Sequence, residues 1–286
     1  IWEVPDLFPL EIDGVERWVL LVSAGGGPGG LGVQYFIGDF DGQTFINENS
    51  PQTTLWLDCG PDNYAGTTWN DTPDDARVYI GWMNNWSYAG DIPTSTWRGA
   101  MTLPRELRLV RGNDGLRLAQ EPVASLRALR GPAWHLPSQM IRPGEHLLTG
   151  VSGRTLEIIA DIEVADADAV GLRVLKGENE ATGLRYNVDR GSLFLNRFGA
   201  GEDDFNPNFA LACEAPLPLD EGRLNLHVFV DHSSVEVFAN EGKAVISGRV
   251  FPNESSDGLE LFSTGGEARL HSLTVWPLAS IWSSDG

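Results

Sequence analysis

The stretch Trp2-Glu3-Val4-Pro5-Asp6 sets two carboxylates close together among an indole, a valine and a proline. Three further segments combine acids, amides and aromatics in turn-rich sequence: Asp58-Cys59-Gly60-Pro61-Asp62-Asn63-Tyr64-Ala65, Gly81-Trp82-Met83-Asn84-Asn85-Trp86 and Thr96-Trp97-Arg98-Gly99. Indole faces beside Asp, Asn and Arg suit a sugar, whose ring offers C–H faces for stacking and hydroxyls for paired hydrogen bonds. A glycosidic bond is cut by two carboxyl groups, one of them protonated as general acid. Packing a carboxyl against an indole and aliphatic groups favours that protonated form, because burial disfavours the charge. Glu3 has such neighbours in sequence, although the same residues also fit two ordinary acids around a turn at Pro5.

The elements that must position these groups are strands. Leu224, Leu226, Val228 and Val230 alternate with Asn225, His227 and Phe229, and Val235, Val237 and Ala239 alternate with Glu236, Phe238 and Asn240. That period of two is the mark of a half-buried strand. Turns rich in Gly, Asp and Asn, such as Asn240-Glu241-Gly242, recur along the chain. The spacing predicts an all-β protein with one helical turn, Val123 to Arg130, closed by Gly131-Pro132. Most of the Trp and the Gly-rich loops precede that point and evenly spaced sandwich strands follow it, which predicts two domains, 1–130 and 131–286.

Composition narrows the partners. Forty Asp+Glu against 20 Lys+Arg give a formal net charge of −20, a field that repels phosphate backbones and anionic membranes, so neither nucleic acid nor a membrane is an expected partner. No uninterrupted apolar run approaches the ~18 residues of a spanning helix. Cys59 and Cys213 have neither the number nor the spacing for a disulfide scaffold or a zinc site, and the five histidines show no ligand spacing, so no metal is expected. Gly25 to Gly30 contains a G-x-G-x-x-G spacing, but the strand-like Gly32-Val33-Gln34-Tyr35-Phe36-Ile37 follows it where a dinucleotide site needs a helix N-terminus. A hairpin loop is the better reading. Asp231-His232-Ser233 has the residue types of a nucleophilic triad, but chain neighbours in a turn point apart, so it reads as a turn.

Trp2-Glu3-Val4-Pro5-Asp6-Leu7-Phe8 resembles the W-E-C-P-D-[LF]-F motif of glycoside hydrolase family 32, the invertases, levanases and inulinases. So do Gly26-Gly27-Pro28-Gly29-Gly30 with Gln34 to Gly42, Asp62-Asn63-Tyr64-Ala65, Gly81 to Trp86, Thr94 to Arg98, Leu103 to Leu107 and Phe229 to Phe238, in the family's order over nearly the whole chain. The resemblance implies the last blades of a five-bladed β-propeller followed by a C-terminal β-sandwich. It implies Glu3 as general acid/base, and Asp62, Trp82, Asn85 and Trp86 as sugar contacts at the propeller funnel. Val4 stands in place of the usual Cys, and Ala24-Gly25 and Leu31 replace polar residues common near the leaving-group subsite.

The family's nucleophile lies in a W-M-N-D-P-N-G motif and its transition-state-stabilising Asp in an R-D-P motif, and neither occurs here. The acid/base motif belongs to the third blade, so three blades are expected in this chain. A companion N-terminal segment, on the order of 100 residues or more, is expected to bring the nucleophile and close the ring, because an incomplete propeller leaves sheet faces bare. The expected activity is that of a retaining, cofactor-free β-fructosidase releasing terminal fructose from sucrose, levan or inulin. A fructosyltransferase with the same site and a catalytically inactive fructan-binding protein are the alternatives. The acidic surface and polymeric substrate suggest secretion, and the use of only Lys176 and Lys243 among 20 basic residues suggests a bacterial source.

Overall fold

The computed structural model of the chain describes residues 1–112 and 114–282. It is all-β apart from short 3₁₀ turns, the longest of which, Ala124–Leu129, falls where the helical turn is expected.

The first half forms two four-stranded antiparallel meanders of the kind found in propeller blades. One is β1 (Trp2–Ile12), β2 (Val15–Gly25), β3 (Leu31–Phe40) and β4 (Phe45–Asn47), paired in that order. The other is β5 (Tyr64–Thr68), β6 (Val78–Trp82), β7 (Arg105–Gly112) and β8 (Gly115–Pro122). The described residues thus hold two such sheets, one fewer than expected. The lengths that a third would need, 48–63 and 83–104, carry Pro51, Pro61, Pro93 and Pro104 and run mostly as irregular loops, since proline cannot donate to a ladder. The β1–β2 hairpin turns on Asp13-Gly14, both at positive φ (53° and 74°), the geometry that matches strand twist in a two-residue loop. Phe8, Val19, Leu21, Tyr35 and Ile37 of the first sheet pack with Tyr79, Leu107, Leu109 and Leu118 of the second.

The second half is a sandwich. One sheet runs β10 (Gln139–Ile141), β20 (Ala268–Pro277), β11 (Leu156–Glu163), β16 (Arg223–Asp231), β17 (Ser234–Ala239) and β18 (Ala244–Arg249), with β9 (Trp134–Leu136) also on β20. The facing sheet runs β15 (Ala212–Pro216), β14 (Ser192–Asn196), β13 (Thr182–Asn187), β12 (Ala169–Lys176) and β19 (Gly258–Thr264). Leu224, Leu226, Val228 and Val230 enter the core between them, as their alternation predicts. Strands β17 and β18 depart from it: Glu236 and Phe238 are buried as well. Their second face is covered by the first half of the chain, so both faces of these strands are interior.

That contact is polar at its centre. The Arg105 guanidinium donates to Asp58 Oδ2 at 2.8 Å and to Glu236 Oε2 at 2.6 Å, and the Ser247 hydroxyl donates to Asp58 at 2.7 Å. Cys59 N donates to Val245 O at 2.8 Å, laying residues 59–62 along β18. Gly60 permits this approach, because a Cβ there would lie 2.0 Å from the Ser247 carbonyl oxygen.

Candidate active site

Glu3 sits near the start of β1, one residue before an irregularity in the β1–β2 register between Glu3 and Asp6, with Val4 at φ 47°. The bulge turns the two acids to separate partners. Glu3 Oε2 accepts a 2.7 Å hydrogen bond from the Tyr64 hydroxyl on β5. Asp6 Oδ2 accepts from Thr68 N at 2.7 Å and Thr68 Oγ1 at 2.8 Å, binding β5 to β1. A third link runs from Ala65 N to the buried Ser23 hydroxyl at 3.0 Å.

The apolar packing expected around Glu3 from its neighbours is not what the structure holds. Trp2 is 66% exposed and Val4 40% exposed, and Glu3 itself is exposed. Successive strand residues point to opposite faces, so chain neighbours cannot wrap the carboxyl. Its partner comes instead from a strand 61 residues away. Burial first, and then the hydrogen bond to Glu3, push the Tyr64 phenol up to about 12, so it stays a donor across the working range of an enzyme.

Tyr64 lies directly opposite Trp82 in the β5–β6 register, so the two side chains share a sheet face. Trp82 is half-buried and Trp86 is 69% exposed, with ring centroids 4.7 Å apart. Glu3, Tyr64, Trp82 and Trp86 therefore form one connected cluster of a carboxylate, a phenol and an accessible indole surface.

Asp62 and Asn85, which the sequence places at the sugar, are instead fully buried. Asp62 Oδ1 accepts from the Tyr88 hydroxyl at 2.5 Å, and Oδ2 accepts from Arg197 Nη1 and Arg249 N, both at 2.8 Å. Both arginines belong to the sandwich. Asn85 Nδ2 donates to Gly29 O at 3.1 Å and Pro61 O at 2.9 Å, while its Oδ1 accepts from Ser87 N at 2.9 Å. These bonds fasten the Gly-rich loop to the 60–62 segment. Gly29 itself is at φ +64°, and a Cβ there would lie 2.5 Å from the Pro61 side chain. The loop follows β2 and precedes β3, as a hairpin connection. Acids and amides in turns look alike in sequence whether they face a ligand or hold the turn, and here the buried partners decide.

Sequence reasoning missed Tyr64 as a site residue, though its segment had been singled out; its tyrosine-alanine pair opening a strand after Asp62 was the available signal. Among the described residues no group of three or more His, Cys, Asp and Glu is placed to hold a metal ion.

Comparison with known proteins places the whole chain in one family. The model of the glycosyl hydrolases family 32 N-terminal domain matches residues 1–122, and that of the family 32 C terminal matches residues 126–277. The chain belongs to glycosyl hydrolase family 32. It is similar to a levanase of Bacillus subtilis (strain 168), 45% identical over 99% of this chain and 44% of that protein. An extracellular exo-inulinase of Aspergillus ficuum is 34% identical over 99% of this chain and 56% of that protein. Among solved structures, the exo-inulinase from Aspergillus awamori superposes with a TM-score of 0.88 at 30% identity, covering 98% of this chain and 57% of that one. Fructan 1-exohydrolase IIa from Cichorium intybus shares the fold, with a TM-score of 0.81 at 19% identity over 98% of this chain and 62% of that one. The chain thus spans about half the length of the curated relatives it matches.

Proposed function

We propose that this chain carries the acid/base half of a retaining β-fructosidase acting on the terminal fructose of levan, inulin or sucrose. The observation that carries the reading is the Tyr64–Glu3 hydrogen bond beside the exposed Trp82–Trp86 surface. It is supported by relatives named for levan and inulin hydrolysis.

In this reading Glu3 gives its proton to the glycosidic oxygen as the bond to the fructosyl carbon breaks, and an Asp carboxylate attacks that carbon to form a covalent ester. Glu3, now a carboxylate, then takes a proton from the water that displaces the Asp. The Asp is assigned to a companion N-terminal segment, which also completes a five-bladed ring. The face of the first sheet turned away from the second supports this assignment, because Leu7, Trp18, Leu20 and Phe36 lie there only half-buried. Trp82 and Trp86 stack on the sugar, while Asp62 and Asn85 hold the loops beneath them. Residues 1–130 form the catalytic part and 131–286 the sandwich, and the enzyme works outside the cell, as the name of the Aspergillus relative suggests for that protein. The chemistry draws on no cofactor, and a sugar hydroxyl in place of the water makes the same site a fructosyltransferase.

The test is fructose release from sucrose and levan by this chain assembled with its N-terminal companion. Glu3→Gln is expected to cut release by about 10²–10⁴-fold with an unchanged melting temperature. Equal release by both forms overturns the role of Glu3. No release by either, with levan still bound, leaves an inactive fructan-binding protein.

A further inference from the structure

A hollow of about 460 Å³ opens on the five-stranded sheet of the sandwich. Register places Arg173 of β12, Gly183 of β13 and Asn196 of β14 side by side across three strands. Their neighbours Leu172, Leu184 and Leu195 point into the core, so this row faces solvent by the period of two. Gly183 makes the row hollow. A Cβ built there would touch nothing nearer than the Asn196 Cβ at 3.8 Å. Over one side stands Phe198, 58% exposed, its backbone N–H fixed to Asn196 Oδ1 at 3.1 Å. Another wall is formed by Lys176 at the end of β12 and by the β12–β13 loop with Asn179. That loop is anchored: Asn253 donates through its backbone N and Nδ2 to the two carboxylate oxygens of Glu180, at 2.7 and 2.5 Å.

We propose that this hollow is a sugar-binding site on the sandwich, taking a neutral fructan chain. Its components are those a neutral sugar needs: one exposed aromatic face, an amide on each side, and a guanidinium over the Phe262 ring at 4.4 Å. The charges balance in a way that does not select an anion. Arg173 is paired with Glu260, Lys176 lies 3.8 Å from the same carboxylate, and Glu178 and Glu180 flank the loop. The identity of the sugar as a fructan rests on the activity proposed above. A site here tethers a polymer to the sandwich while the Glu3 cluster works on a chain end, raising the local concentration of ends.

The experiment is affinity electrophoresis of the full chain through gels containing levan, beside gels containing dextran sulfate as an anionic control. Phe198→Ala is expected to weaken retention by levan about tenfold. Phe198 is mostly exposed, so the fold should survive the change, which circular dichroism checks. In the same assay Trp86→Ala reports on the Glu3 cluster separately, so failure of one site is readable without the other. Levan retention by Phe198→Ala and Asn196→Ala equal to that of the unaltered chain overturns the proposal. Retention by dextran sulfate that disappears in Arg173→Gln also overturns it, in favour of an anion site.

Discussion

Tyr64 reaches Glu3 with a phenol that burial keeps protonated, so it is the residue most directly placed to hold the carboxylate in one orientation. Removing only the hydroxyl, in Tyr64→Phe, leaves the packing of the ring and takes away one charge-assisted hydrogen bond. We expect kcat for fructose release by the assembled enzyme to fall about tenfold with KM nearly unchanged, read from steady-state kinetics. Trp86 is the complementary case. With most of its ring exposed, Trp86→Ala should leave the melting temperature within about 1 °C and weaken fructan binding severalfold, measured by calorimetric titration. Asp62 differs from both. Its carboxylate hydrogen bonds run to Tyr88, Arg197 and the backbone of Arg249, so Asp62→Ala strips a buried guanidinium of its counter-charge. The expected loss is about 3–5 kcal/mol in urea unfolding, the usual result of leaving one buried ion alone.

At the scale of elements, the bulge in β1 and the crossing of residues 59–62 over β18 do most to shape the site. The bulge separates Glu3 from Asp6, so that one acid meets Tyr64 while the other clamps Thr68. Gly60→Ala should be among the most damaging single-methyl additions in the chain. Its Cβ would meet the Ser247 backbone, which cannot move without breaking the β17–β18 ladder. Loss of a cooperative transition, or a drop in stability of more than about 2 kcal/mol in urea, is the expected reading. Strand β11 carries a pH-sensitive group. Burial raises the Glu157 pKa, but Arg130 and His227 outweigh it and hold the carboxyl at about 2 against an ordinary 4.5. A depressed folded pKa stabilises above the unfolded value and is lost as pH falls through the folded one. The melting temperature of the unaltered chain should therefore exceed that of Glu157→Gln at pH 6, with the gap closing as pH falls from about 4.5 toward 2.

For the molecule as a whole, the two halves are joined by buried charge as well as by apolar packing. Arg105 of β7 sits fully buried between Asp58 and Glu236, the latter on a sandwich strand, with its guanidinium over the Phe238 ring at 5.1 Å. Arg197 and Arg249 reach from the sandwich to the segment that carries Tyr64 and to the Met83 carbonyl beside Trp82. The sandwich thereby holds the loops of the Glu3 cluster in place. This arrangement implies that separating the halves costs more than their apolar contact alone, since each cut would expose unpaired ions in former interior positions.

The alternation in β16, the hairpin loop after β2 and the 3₁₀ turn before Gly131 were legible in the sequence because each is dictated by local steric and hydrophobic preference. The Glu3, Trp82 and Trp86 segments were legible too, as residue types suited to a sugar. Which of those polar residues face outward was not legible. Asp62 and Asn85 look like ligand contacts until Arg197, Arg249, Gly29 and Pro61 close over them, and Glu3 looks wrapped by Trp2 and Val4 until the pleat turns these neighbours away. Even Glu236 and Phe238, on a strand whose alternation reads correctly, are buried on their polar face by the other half of the chain. The sequence alone determined the strands, the turns and the chemistry its side chains can perform, because those depend on local geometry and residue type. Only the tertiary structure decided which partner each acid meets, because residues 61 to 187 positions apart become neighbours only when the sheets pack.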